Sequence, residues 1–150
     1  MADESATQIF NRVFDALETG DRDAALDALR QGYELFNRDG IGAWLEVLDP
    51  AIEWSEGPDA PDRDVYRGHR GVLLQQQRFE EAWESFRLEP EDFAASGENL
   101  VVVVNARARG RGSGVEVQAR LAHSWELRGR KVVRWVVDID PERALREVGS

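Results

Sequence analysis

His123 stands in a row that is otherwise apolar. Val115, Val117, Ala119, Leu121, His123, Trp125 and Leu127 alternate with Glu116, Gln118, Arg120, Ala122, Ser124 and Glu126, and this period of two puts the first set on one face of a strand and the second on the other. A tight, regular hairpin at Arg128-Gly129-Arg130 would put His123's neighbour on the next strand near Trp135. Burial lowers the pKa of an imidazole, and a neutral ring can act as general base, oxyanion donor or hydrogen-bond partner of a ligand. The plainer role is that of a core histidine tied to a backbone carbonyl.

A carboxylate would complete the chemistry. Glu53 and Glu56 bracket the end of an earlier short strand, and Glu56, desolvated by Trp54 and facing His123, suits proton abstraction beside a carbonyl; otherwise it is a solvated loop residue. Trp44, Trp54, Trp83, Trp125 and Trp135, with Phe79, supply the flat apolar surface of a cavity for polycyclic or aromatic ligands. The hydroxyls of Tyr33 and Tyr66 can orient a carbonyl. The expected pocket is therefore Tyr33, Trp54, Tyr66, Phe79, Trp83, Val102, Leu121, Trp125, Trp135 and Val137, with His123 and Glu56 as candidate catalytic groups. No metal site and no cofactor is called for.

Composition narrows the alternatives. The chain has 150 residues, enough for one domain with a single core. Its net charge of −10 disfavours nucleic acid and anionic lipid, and the arginines of Gly110-Arg111-Gly112 lack the interleaved aromatics of an RNA-binding segment. There is no cysteine, which excludes thiolate metal sites and cysteine nucleophiles, and two histidines make a multi-histidine site improbable. The first residues lack the pattern of a signal peptide, and apolar runs such as Leu100 to Val104 are too short to span a bilayer. A soluble cytoplasmic protein is the expectation, with no membrane and no nucleic-acid partner. A single lysine, Lys131, among many arginines suggests a GC-rich bacterial gene.

The positioning elements follow from periodicity. Ile9, Phe10, Val13, Phe14 and Leu17 form one helical stripe, ended by Thr19-Gly20-Asp21. Asp21 can cap a second helix carrying Leu26, Leu29, Tyr33 and Phe36, which ends near Gly40. A short third helix covers about 41 to 48. A strand over 51–55 leads into the Gly/Pro/Asp-rich loop from Glu56 to Asp62, a natural rim for a cleft. Val72, Gln76, Phe79, Trp83 and Phe86 predict a helix reaching Phe86. Strands are then expected over 87–93, from about Leu100 to Arg109, over 115–127 and over 131–139, with a last helix over 141–148. The stripe of residues 5 to 18 must pack on the domain or on a partner subunit, and a helix-mediated dimer contact is the expectation.

Helices first, a long antiparallel sheet later and one helix between early strands make an α+β domain. Its ordered motifs are Tyr33-Glu34-Leu35-Phe36-Asn37-Arg38, Leu48-Asp49-Pro50-Ala51-Ile52-Glu53-Trp54, Tyr66-Arg67-Gly68, Ser113-Gly114-Val115-Glu116-Val117, Gly129-Arg130-Lys131-Val132-Val133 and Glu142-Arg143-Ala144-Leu145. Over about residues 22 to 149 this set resembles the SnoaL-like, polyketide cyclase-like branch of the nuclear transport factor 2 and ketosteroid isomerase-like superfamily. The resemblance implies an NTF2-like cone, a curved, mixed but mainly antiparallel sheet wrapped around three helices. Residues 1–20 would form an N-terminal helical extension, residues 21–150 the domain, and a short helix would close the chain. It also implies a pocket between sheet and helices, and homodimers.

Particular positions carry the comparison further. Where the resembling isomerases have a pocket acid two residues before the aromatic of this strand, this chain has His123. Their general-base aspartate falls at Ser55, Glu56 or Gly57. Asp138 and Asp140 look like cyclase carboxylates, yet alternation turns them away from the face of Trp135 and Val137. Two functions follow. The first is a small-molecule-pocket protein doing cofactor-free acid/base chemistry of isomerase, cyclase or hydrolase type on an apolar carbonyl compound. The second is a non-catalytic ligand-binding or dimerisation module.

Overall fold

Local signals start and stop the helices where the stripes require. Ser5 and Gln8 form a capping box at the head of α1 (Ala6–Thr19), and left-handed Gly20 ends it. Asp21 accepts the Ala24 N–H at 3.0 Å to open α2 (Arg22–Asp39). After Gly40 a 3-10 helix, Ile41–Val47, turns Trp44 into the core. The computed structural model describes residues 4–57 and 64–148. The loop expected from Glu56 to Asp62 lies from Pro58 onward outside the described residues, as does its role as a rim.

The rest of the chain is β1 (Leu48–Glu56), β2 (Val65–Arg67), α3 (Gly68–Ala82), β3 (Trp83–Ser96), β4 (Asn99–Gly110), β5 (Glu116–Arg128), β6 (Lys131–Asp138) and α4 (Pro141–Val148). The strands form one mixed sheet in the order β2-β1-β6-β5-β4-β3, parallel between β1 and β6 and antiparallel elsewhere. This is the expected α+β architecture.

One expectation is corrected here. The helix expected to reach Phe86 stops at Ala82, because β3 pairs with β4 from Trp83↔Gly110 to Ser96↔Asn99 and the ladder takes the backbone groups another helical turn would use. Pro90 is tolerated within β3, an edge strand whose register shifts beside it. The hairpin between β5 and β6 is tight, with Gly129 and Arg130 both at positive φ. A register shift between Glu126 and Leu127 then adds one residue, so His123 lies opposite Val137, and Trp135 lies opposite Trp125.

The sheet's inner face carries the core. Trp125, Trp135 and Trp54 occupy one row across β5, β6 and β1, covered by Trp44, Tyr33 and Phe10 from the helical layer. Helix α1 belongs to this same core, with Ile9, Phe10, Val13 and Phe14 all buried. Its stripe packs on the domain itself, one of the two places expected for it. On the outer face α4 covers Val101 and Ala122. No described helix is long and apolar enough to cross a membrane.

Candidate functional site

The aromatic rows close one end of the sheet, and a cleft opens beside them. Proceeding along β5 from Trp125, the inner face presents His123, Leu121, Ala119 and Val117; their β4 partners are Val102, Val104, Ala106 and Ala108. Phe86 and Leu88 on β3 pair with Ala108 and Ala106. The three alanines leave a shallow floor where larger side chains would meet the helices. Above it stand Gln75, Gln76 and Phe79 of α3, with Trp83 at the start of β3. The cleft has a volume of about 280 Å³ and is lined mainly by apolar side chains.

His123 sits at its inner end. The residue is 4% exposed, and its Nδ1 lies 2.6 Å from the hydroxyl of Tyr33, itself 1% exposed. Helix α2 supplies Tyr33 from behind, where its ring packs edge-on against Trp44 and stacks with Trp125. The His123 ring meets Trp135 edge-to-face with centroids 5.0 Å apart. Burial pulls the His123 pKa down from 6.5 to about 3 and pushes the Tyr33 phenol well above its ordinary range. Both groups are therefore neutral at neutral pH.

Glu56 lines the same cleft, at the end of β1. Its partner on β6 is Val137, whose partner on β5 is His123, so the three form one row across the sheet. Two strand spacings separate Glu56 from His123, roughly 10 Å between backbones. A ligand one or two rings wide can bridge that gap. Gln76 is committed to structure: its Oε1 accepts the Ile41 N–H at 2.5 Å and its amide donates to Glu80 at 2.9 Å.

Of the residues expected in the pocket, Trp54, Phe79, Trp83, Leu121, Trp135 and Val137 line this cleft together with His123 and Glu56. Tyr33, Tyr66, Val102 and Trp125 do not, which corrects that part of the expectation. Tyr33 is walled off behind His123. Val102 is buried under the helices between Phe93 and His123. Trp125 is locked among Phe10, Trp44 and Trp135. Tyr66 packs against Trp54 and accepts a hydrogen bond from Arg78 at 2.9 Å. Trp125 and Trp135 each bury an indole N–H that has no partner among the described residues.

Ala106, Ala108 and Ala119 also line the cleft, beyond the residues expected there. Their alternation with outward-facing Arg107 and Arg120 was the signal: small side chains on the inner face of long strands make room. Asp138 lies on the outer face, where it accepts hydrogen bonds from Arg143 at 2.8 Å and from the Asp140 backbone at 2.9 Å. It holds the start of α4 and plays no part in the cleft.

Residues 29–135 match the family model of the SnoaL-like domain. An NTF2-like protein of unknown function from Burkholderia pseudomallei K96243 is 18% identical, with 99% of this chain and 100% of that chain covered and a TM-score of 0.66. TerC, co-crystallised with polyporic acid, is 23% identical over 77% of this chain and 90% of its own, at a TM-score of 0.64. A protein with a ketosteroid isomerase-like fold from Catenulispora acidiphila DSM 44928, in complex with trimethylamine, is 8% identical over 70% of this chain and 78% of its own, at a TM-score of 0.62. These structural likenesses establish the fold. The comparison with curated protein sequences gives no match.

Proposed function

We propose that this chain, which belongs to the SnoaL-like domain family, binds an apolar carbonyl compound in the cleft and moves a proton on it. The observation that carries the reading is buried His123, backed by Tyr33, at the inner end of a mainly apolar cleft. Nδ1 of His123 is paired with Tyr33, but Nε2 has no partner among the described residues, and a polar nitrogen withdrawn from water without one is costly, a cost that a ligand's oxygen would offset. Two structural neighbours were crystallised with small organic molecules, which supports a fold able to accommodate them.

The chemistry divides along the row His123–Val137–Glu56. A flat ketone lying on the alanine floor places its oxygen at His123 and its adjacent carbon toward Glu56. The Glu56 carboxylate takes the α-proton, the C–H electron pair forms a C=C bond, and the carbonyl electrons move to oxygen, where His123 meets the developing charge. Delivery of the proton to another carbon of a conjugated enolate gives the isomer, and exchange of the Glu56 proton with solvent before it returns to the same carbon gives the exchanged ketone. Stabilising charge at oxygen in a site shielded from water is the main source of acceleration in such chemistry.

A second reading has its own support. Asp138 faces away from the cleft, so Glu56 is the one carboxylate among its described lining residues, and a binding module needs none. Exchange of the α-protons of β-tetralone with D2O, followed by proton NMR, separates the two. The enzyme reading predicts exchange well above the buffer rate, falling by about 100-fold in Glu56→Gln with binding retained. Tight binding with exchange at the buffer rate would establish the binding module instead.

A further inference from the structure

The two buried hydrogens of the Tyr33–His123 pair can be placed. The Tyr33 hydroxyl and His123 Nδ1 are each other's partners at 2.6 Å, and neither atom has another among the described residues. If Nδ1–H donated to the phenol oxygen, the phenol hydrogen would be buried with no acceptor, an arrangement folded proteins avoid. With Tyr33 donating, both atoms are satisfied. Nδ1 is then the bare acceptor, and the neutral imidazole must carry its hydrogen on Nε2. Burial disfavours the two charged alternatives, imidazolium and phenolate.

The position of Nε2 gives this consequence a direction. It makes no hydrogen bond among the described residues, yet it is not one of the sealed, unpartnered nitrogens, which are the indoles of Trp125 and Trp135. His123 borders the cleft and Tyr33 does not, so Tyr33 holds the ring from behind.

The geometry points to Tyr33 as a positioning residue that fixes His123 in its Nε2–H form, making the inner end of the cleft a neutral hydrogen-bond donor for a ligand's acceptor oxygen. Three things follow. His123 is not the base of the site, because its free nitrogen already bears a hydrogen. The proton-accepting role falls to Glu56. The ligand presents an acceptor oxygen at this end, such as a carbonyl or enolate, since a group that only donates, such as an ammonium, finds no partner there. The inference rests on the cleft being a ligand site, as proposed above.

Nitrogen-15 spectra of the histidine-labelled full chain test the tautomer without any ligand, with His123→Gln identifying the signals. The expected result is a pyrrole-type Nε2 and a hydrogen-bonded pyridine-type Nδ1; a protonated Nδ1 overturns the proposal. Affinities for β-tetralone and for tetralin, which has the same ring system without the oxygen, test the consequence. In Tyr33→Phe, β-tetralone should weaken by about tenfold, the loss of roughly one well-oriented hydrogen bond, while tetralin stays within about twofold. His123→Gln, which keeps an amide donor near the place of Nε2, should retain most of the preference for the ketone, and His123→Leu should lose it. Equal weakening of both probes in Tyr33→Phe would make Tyr33 merely structural and contradict the proposal. If neither probe binds the wild type but the nitrogen spectrum is as expected, the positioning role stands and the ligand reading fails. If both bind and Nδ1 carries the hydrogen, the ligand reading stands and the positioning role fails.

Discussion

At the scale of single residues, the account turns on one neutral histidine, and its neutrality is measurable as stability. Folded His123 titrates near 3 and the unfolded side chain near 6.5. Between those values the unfolded state holds one more proton, so stability falls as pH drops, by about 1.4 kcal/mol per unit. Above 6.5 the contribution is complete and flat. Between pH 7 and pH 5 the wild type should lose about 2 kcal/mol more than His123→Gln in urea titrations; parallel losses would mean a histidine that charges freely in the fold. Alternation along 115–127 and along 131–139 was enough to turn His123 inward and Asp138 outward. It could not identify Tyr33 as the partner, because that contact joins residues 90 positions apart and depends on how α2 crosses the sheet. The ladder that sets His123 opposite Val137, two residues from Trp135, includes a one-residue bulge that leaves no mark in the hydrophobic pattern.

At the scale of elements, α1 is the clearest case of a part whose role the pattern left open. Its stripe showed that it must pack, and the structure shows against what: Phe10 lies 5.0 Å from the Trp44 ring and 5.9 Å from Trp125, centroid to centroid. Its head is tied down by Glu46, whose carboxylate accepts the Thr7 N–H at 2.7 Å and is held below its ordinary pKa chiefly by that bond. Its tail is held by Arg130 at the hairpin turn, which bonds Asp15 at 2.8 Å and Glu18 at 3.0 Å. Phe10→Ala should therefore destabilise the whole chain by about 3–5 kcal/mol in urea titrations, as for a large core side chain. A loss under about 1 kcal/mol would mark α1 as a detachable appendage. Tyr33, on the neighbouring helix, packs on the same Trp44, so α1 supports the site while touching no part of the cleft. The boundary between α3 and β3 was misread for a physical reason: Phe79, Trp83 and Phe86 fit a helical period, but Trp83 and Phe86 also pair with Gly110 and Ala108, and tertiary pairing decides such ambiguous runs.

At the scale of the whole molecule, the sheet is closed at one end and open at the other. Large aromatics from α1, α2, the 3-10 helix, β1, β5 and β6 fill the closed end, and rows of alanine and valine run out beyond the helices at the other, where Val117 is 46% exposed and Val115 59%. This gradient from tryptophan to alanine along the inner face is what makes a cleft in place of a solid core. It was legible in the sequence once β4 and β5 were recognised, although the pairing of Ala106 with Ala119 needed the register. The acid-rich surface is spread over helices and outer sheet, much of it paired with arginine, as at Arg120 with Glu91 and Glu142, and the cleft interior stays apolar. The most direct test of the whole account is a crystal structure of the full chain with β-tetralone. The rings should lie on the alanine floor between β5 and α3, with the ketone oxygen within hydrogen-bonding distance of His123 Nε2. Rings bound outside the cleft, or an oxygen turned toward the open end with Nε2 left unpaired, would contradict it.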